Sequence, residues 1–298
     1  MLKRTLFFTN PAYLSVRQKQ LVVKTKDSDT ERSVPIEDIG IVILEHPQIS
    51  MTMPTLQQLN TNNVAVIFCD EKHMPASMLL NLDGHHLQNE IFRKQINSSQ
   101  PLKKQLWQQT IVAKIKNQAA LLKSKSIDSG SLVSLASSVK SDDSTNREGT
   151  AAREYWGRLF DNDFTRDRYG AYPNNLLNYG YIVLRSAVAR ALVGSGLLPT
   201  LGIHHSNRYN AYCLADDIME PYRPYVDDVI YEMWQSGNGE LILEKETKAH
   251  LLQVLSCDVS IGEVKRPLLL ALSHTTASLA RCFNGEGKKI LYPTFFKE

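Results

Sequence analysis

The stretch "PLKKQLWQQTIVAKIKNQAALLKS", residues 101–124, decides how the chain is read. Leu102, Leu106, Ile111, Ile115, Ala119 and Leu122 recur at helical spacing, so one apolar stripe runs the length of a long helix. Upstream the texture differs. "TLFFT", "QLVVKTK", "IGIVILEH" and "VAVIFCDE" are short β-branched or aromatic runs, separated by the turn formers Asn10-Pro11, Asp27-Ser28-Asp29 and Asn62-Asn63. "IVIL" and "VAVIF" are continuous rather than alternating, which predicts strands covered on both faces. Between them "MTMPTLQQLN" predicts one short helix, with Thr52 at its cap and Pro54 in its first turn.

Downstream the helical period continues in "LQNEIFRKQI", "GTAAREYWGRLF", "LLNYGYIVLRSAVARALVG", "PYVDDVIYEMW", "KAHLLQVLS" and "RPLLLALSHTTASLARCF". The longest of these is capped by Gly194 or Gly196, either of which suits a helix terminus. Residues 124–146 carry nine serines and read as loop, with a short helix around "LVSLASSV". Strand-like runs are scarce after residue 90, and no internal repeat is present. The expected fold is α+β: a small N-terminal β-strand domain (1–80), a linker near 72–88, and a larger all-helical domain (81–298).

Composition sets the outer bounds. The 298 residues are 43% hydrophobic and 22% charged, ordinary for a globular protein with ample core. Cys69, Cys213, Cys257 and Cys282 fit no zinc spacing and read as scattered reduced thiols, which predicts a cytoplasmic location. "TLFF" is too short for a signal-peptide core, and no apolar window is long enough to span a membrane.

The formal charge of +3 matters less than its distribution. Between Ile91 and Ile127 stand Arg93, Lys94, Lys103, Lys104, Lys114, Lys116, Lys123 and Lys125, with no acidic residue. One-signed charge along two helices attracts phosphate backbones without reading sequence. Arg147, Arg153, Arg158, Arg166 and Arg168 form a second basic group around Glu148. Opposite in character is "LGIHHSNRYNAYCLADDIMEPYRP" (201–224), where His204 and His205 precede Asp216, Asp217 and Glu220. If a helix reaches Glu220, Asp216 and Asp217 share a face with it. Carboxylates with one imidazole suit Mg²⁺ or Mn²⁺. Spacing alone leaves open which histidine and which aspartate take part. Arg223 also stands four residues before Asp227, a natural ion-pair partner.

Three blocks resemble Cas-one, the CRISPR-associated endonuclease and integrase family of spacer acquisition. "NREGTAAREYW" (146–156) looks like its Arg-Glu-Gly-x-x-Ala-Arg segment, "LGIHH" (201–205) like its Gly-x-x-His segment, and "LADDIMEPYRP" (214–224) like its Asp-hydrophobic-Met-Glu-x-aromatic-Arg-Pro segment. "VIFCDEKHMP" and "DNDFTR" (161–166) resemble the branch that accompanies Cas9. The resemblance implies a two-domain fold whose helical domain is catalytic. It implies metal ligation by Glu148, His205, Asp217 and Glu220, with Glu148, His205 and Glu220 the catalytic set and Asp217 binding directly or through water. It implies that Arg147, Arg153, Lys103, Lys104, Lys114 and Arg223 contact DNA. The implied reaction joins 3′-hydroxyl ends of captured DNA to the CRISPR repeat by phosphodiester transesterification. The implied partners are DNA, a second copy in a homodimer, a small companion Cas subunit in a heterohexamer, Cas9 and an accessory DNA-end-binding ring protein. The β domain, with edge strands to cover, is the expected dimer contact. A non-catalytic DNA-binding scaffold and a general metal-dependent nuclease are the alternatives on the same residues.

Overall fold

The computed structural model describes residues 3–25, 31–237 and 239–296. The turn expected at 27–29 and the last two residues of the tail lie outside them. The first part of the chain forms β1 (Arg4–Phe8), β2 (Ala12–Arg17), β3 (Gln20–Thr25), β4 (Glu31–Pro35), β5 (Ile39–Leu44), β6 (Ile49–Met51), α1 (Met53–Thr61), β7 (Ala65–Cys69) and β8 (Pro75–Leu79). These make two four-stranded sheets. In one, β1, β5 and β7 run parallel and β8 closes the edge antiparallel to β7. In the other, β4, β3 and β2 are antiparallel neighbours and β6 pairs parallel with β2.

The continuous apolar runs are buried on both faces. Ile39 and Val42 of β5 and Val66 of β7 pack with Leu14, Leu21, Ile36 and Leu59 between the sheets. Ile41 and Ile43 of β5, with Ala65 and Ile67 of β7, face the other way into the helical core. Each such side chain, taken fully out of water, contributes about 1.5–3 kcal/mol.

The helical part comprises α2 (Gln88–Ile96), α3 (Gln100–Ser124), α4 (Gly130–Ser137), α5 (Arg147–Leu159), α6 (Asn174–Gly194), α7 (Cys213–Met219), α8 (Arg223–Gln235), α9 (Lys245–Leu252) and α10 (Leu268–Asn284). Helix α3 starts where Ser99 accepts a hydrogen bond from the Leu102 amide, with Pro101 in the first turn. Its stripe of Leu106, Ile111, Ile115 and Leu122 is fully buried. Helix α6 ends in a Schellman arrangement: Gly196 is left-handed at φ 75°, and the Leu197 amide donates back to the Leu192 carbonyl.

Two expectations need correction. The linker near 72–88 contains a strand, β8, whose opening Pro75 is tolerated because β8 is a sheet edge. The second part is mostly, not wholly, helical: β9 (Asp258–Ile261) and β10 (Val264–Pro267) form a hairpin between α9 and α10. Gly262 and Glu263, at φ 58° and 64°, make its two-residue turn. A Gly-Glu pair with a non-glycine at positive φ is a weak hairpin signal, so the alternation in "DVSI" passes unnoticed.

The two parts are pinned together. The buried Lys248 ammonium of α9 donates to the Glu45 carboxylate just past β5 and to the His73 carbonyl. Arg190 of α6 donates to the Asn63 carbonyl at 2.6 Å. The first ties the loop between β7 and β8 to α9, and the second ties the residues just before β7 to α6.

Candidate active site

Helix α3 forms the floor. Trp107, Lys114 and Asn117 lie on one face of it, at spacings of seven and three residues. They meet His204, the two glutamates and the turn after Glu220 in that order.

Glu148 arrives in the first turn of α5. The preceding turn is tightly specified: Asp142, Asp143 and Asn146 are left-handed at φ 63°, 43° and 50°. The Asp143 carboxylate accepts the amides of Arg147 and Glu148, both at 2.9 Å, and the Asn146 side chain accepts the Gly149 amide at 3.1 Å. This double cap fixes the helix start and aims Glu148 inward. Its Oε1 lies 2.6 Å from Lys114 Nζ.

Glu220 comes from the far side. Helix α7 stops at Met219, a 3₁₀ turn spans Glu220–Tyr222, and α8 resumes at Arg223, so Pro221 and Pro224 each fall in a first turn. Glu220 Oε2 is 2.6 Å from the same Lys114 Nζ, and Oε1 is 2.9 Å from the Arg223 guanidinium. Burial pushes the Glu220 carboxyl up, but Arg223 and then Lys114 outweigh it and bring it to about 2. Burial likewise opposes the Lys114 charge, and Glu220 and Glu148 reverse that effect, leaving the ammonium above its ordinary range.

The two histidines are held differently. Asp217, fully buried, accepts the amides of Ile203 at 2.7 Å, His204 at 3.0 Å and His205 at 3.2 Å, and meets His205 Nδ1 at 2.6 Å. This loop needs glycine at 202, because a Cβ there would stand 2.2 Å from the His205 carbonyl oxygen and 2.8 Å from Asp217 Oδ2. The Asp217 bond raises the His205 imidazole, against burial, and the Glu220 charge adds to it. With Nδ1 held, Nε2 keeps its lone pair for a ligand. His204 instead stacks on Trp107 at 4.2 Å, with Nδ1 3.6 Å from Asp142. Asp216 turns away to Asn210 and Arg185.

The ring closes behind the site. The Arg223 guanidinium lies 4.4 Å from the Tyr181 ring centroid, and the hydroxyls of Tyr181 and Tyr155 donate to Asp227 at 2.5 and 2.7 Å. Tyr155 is seven residues after Glu148 on α5, so the network returns to the helix where it began. Arg223 thus pairs with Glu220, three residues back, and not with Asp227.

Two of the six residues expected to contact DNA are engaged inside the protein. Lys114 is no part of an outward basic face: its side chain is 12% exposed, between two glutamates. Arg223 is held by Glu220 and Tyr181. Lys104 is exposed and pairs with Asp142 at 3.2 Å, Arg153 is exposed, and Lys103 and Arg147 are half-buried. The one-signed run is partly balanced by Glu90, four residues before Lys94 on the same helix, and by Asp228 of α8, which pairs with Lys125.

What the sequence did not reveal is a cleft of about 680 Å³ between the β7–β8 loop and the helices. His205 and Arg223 stand in its wall with Lys72, Arg166, Arg168 and Arg185. Arg185 sits within a helix that reads as core, one of two arginines on an otherwise uncharged background. Asn117 was equally silent. Its amide donates to the carbonyls of Pro221 at 2.7 Å and Pro293 at 3.0 Å, and its oxygen accepts the Phe295 amide at 2.9 Å.

Two carboxylates on separate helices, an oriented imidazole and a basic cleft define a class: an α+β protein with a polar site built for an anionic substrate. The model of the family CRISPR associated protein Cas1 matches residues 6–253. The chain belongs to that family. It is 37% identical over 277 residues, 92% of this chain and 90% of the other, to a CRISPR-associated endonuclease Cas1 of Neisseria meningitidis serogroup C. Its fold is similar to that of a casposase bound to integration product, with TM-score 0.78 at 20% identity over 97% of this chain and 92% of that one. It is also similar to a chain of a Cas6-RT-Cas1–Cas2 complex, with TM-score 0.74 at 20% identity over 99% of this chain and 36% of that one.

Proposed function

We propose that this protein is the DNA endonuclease and integrase of CRISPR adaptation. In this reading it uses one divalent cation to join the 3′-hydroxyl ends of captured DNA to the CRISPR repeat. The observation that carries the reading is the meeting of Glu148 and Glu220, from different helices, on one ammonium at 2.6 Å each, beside an imidazole lining a basic cleft.

The donor set fits Mg²⁺ or Mn²⁺: hard carboxylate oxygens and one imidazole nitrogen. Glu220 Oε2 supports the fit, being buried and receiving no well-formed hydrogen bond even from the nearby ammonium. Among the described residues no three of His, Cys, Asp and Glu already stand as a metal cluster, because Lys114 intervenes. Glu148, Glu220 and His205 Nε2 are the proposed ligands. Asp217 has its oxygens occupied by three amides and His205 Nδ1, so it orients the imidazole rather than binding the ion. When bound, the cation supplies Lewis-acid polarisation of the phosphodiester and a lowered pKa at the attacking hydroxyl.

The protein's own part is positioning. Arg166, Arg168, Arg185 and Lys72 draw phosphates into the cleft, and Tyr169, 88% exposed beside Arg168, offers a face for a base. The attacking 3′-oxygen forms one P–O bond as the repeat's P–O3′ bond breaks, and the proton passes from the first oxygen to the second through solvent. With water in place of the hydroxyl the same exchange is hydrolysis.

The chemistry requires two sites held apart on one DNA fragment. A homodimer through the N-terminal sheets and a bridge by a Cas2-type companion supply that spacing, as the name of the Cas6-RT-Cas1–Cas2 complex suggests for its own components. Association with Cas9 and a DNA-end-binding ring protein belongs to the same proposal.

The test mixes protein and companion with short duplex DNA and a supercoiled plasmid carrying the repeat. Glu148→Gln, His205→Ala and Glu220→Gln are each expected to cut joining at least about 100-fold while DNA affinity stays within about threefold. Undiminished joining by all three variants would overturn the assignment.

A further inference from the structure

We propose that Lys114 is an internal counter-ion that holds the place of the divalent cation and is displaced when the cation enters. The proposal rests on the metal-site reading above and adds a residue that the reading does not require.

The geometry leaves room for one positive centre between the two glutamates, and Lys114 Nζ fills it at 2.6 Å from each. Glu148, Glu220 and the buried Asp217 contribute three negatives, while Lys114 and Arg223 contribute two positives. A divalent ion added to this set would turn a net negative site into a net positive one, which a low-dielectric site resists, and it would have to stand where the Lys114 ammonium already stands. One cation must therefore leave. Arg223 is pinned by Glu220 on one side and the Tyr181 ring on the other. Among the described residues Lys114 is held by the two carboxylates, on a flexible four-carbon stem, with a poorly formed bond to Glu220 Oε2. Its backbone stays fixed, because Thr110 and Asn117, one turn to either side, are tied to the C-terminal segment. The ammonium is the mobile charge on a rigid helix.

Two consequences follow. Without metal, Lys114 keeps the two glutamates from repelling one another, so the site is assembled before loading. Once displaced, the ammonium is a free cation beside a site that takes a phosphodiester, and DNA is its natural new partner. Metal and DNA should then each tighten the binding of the other, since reciprocity is a thermodynamic requirement.

The test measures Mn²⁺ affinity by calorimetry on the full-length protein, with and without a short DNA duplex. Lys114→Met is expected to bind Mn²⁺ at least about tenfold more tightly than wild type when DNA is absent, because the competitor is gone. Lys114→Arg, which keeps the charge, is expected to stay within about threefold of wild type. In wild type the duplex should tighten Mn²⁺ by about fivefold or more, and in Lys114→Met that gain should vanish. Equal or weaker Mn²⁺ binding by Lys114→Met would overturn the proposal. Glu148→Gln separates the two levels. If it abolishes Mn²⁺ binding while Lys114→Met changes nothing, the metal site stands and the counter-ion role falls. If wild type, Lys114→Met and Glu148→Gln all bind no Mn²⁺, both fall. Should Lys114→Met fail to fold, wild-type crystals soaked in Mn²⁺ decide: Nζ withdrawn from at least one glutamate supports displacement, and a bound ion with both contacts intact refutes it.

Discussion

At the residue scale, the Asp227 carboxylate is fully buried behind the site. Among the described residues it is satisfied by the hydroxyls of Tyr155 and Tyr181, with Arg223 and Arg166 acting from farther off. Burial raises this carboxyl, against the help of both tyrosines and both arginines, to about 7. The native state therefore holds a proton that the unfolded chain releases near pH 4. Stability from this group is complete below pH 4 and drains away as pH rises from about 4 to 7, by on the order of 4 kcal/mol. Asp227→Asn removes the dependence. Wild-type Tm should fall relative to Asp227→Asn between pH 5 and pH 8, and parallel melting curves would contradict this. Residue roles were unevenly legible. Glu148, His205 and Glu220 stood out because short motifs surround them. Lys114 did not, because a lysine in a basic run looks like surface, and the glutamates that redefine it lie 34 and 106 positions away in sequence. Asp217 was legible as a carboxylate near the site but not as the group that orients His205, since that role depends on the loop folding back over α7.

At the element scale, the C-terminal segment is a strap whose anchoring a linear reading could not foresee. Residues 290–296 cross α3 and α10 and are tied to both helices by hydrogen bonds. The Ile290 amide donates to Gln109, the Leu291 amide to Ser278, Tyr292 pairs with Thr110, and Thr294 bridges to Ser260 of β9. Phe295 packs on Tyr225. Asn117 joins this strap to the turn after Glu220 through three hydrogen bonds. Asn117→Ala leaves two buried carbonyls and one amide without partners and should cost about 3 kcal/mol. Chemical denaturation measures it, and a loss under 1 kcal/mol would mean that the strap does not depend on this side chain. Helices were legible because the 3.6-residue stripe is long and repeated. Of the strands, β5 and β7 were read from their uninterrupted β-branched runs. The short or proline-bounded β4, β6 and β8 were not, since their existence depends on neighbours that pair with them rather than on their own pattern.

At the scale of the whole molecule, the site exists only because distant segments converge. Glu148 opens α5, Glu220 follows α7, His205 sits in the loop between α6 and α7, and the floor is α3. The first sheet buttresses this arrangement through the core it shares with the helices, and the β7–β8 loop supplies one wall of the cleft. The α+β class and the order of β before α were visible in the texture of the sequence, while the cleft between the two parts was not, because it is a property of how they pack. Among the described residues no helix is long and apolar enough to cross a membrane. The most direct test is the anomalous diffraction of crystals grown with Mn²⁺. A single strong peak bonded to carboxylate oxygens of both Glu148 and Glu220 and to His205 Nε2, at about 2.0–2.3 Å, is the predicted result. A peak on Asp216, or no peak within reach of Glu148 at saturating Mn²⁺, would contradict the account.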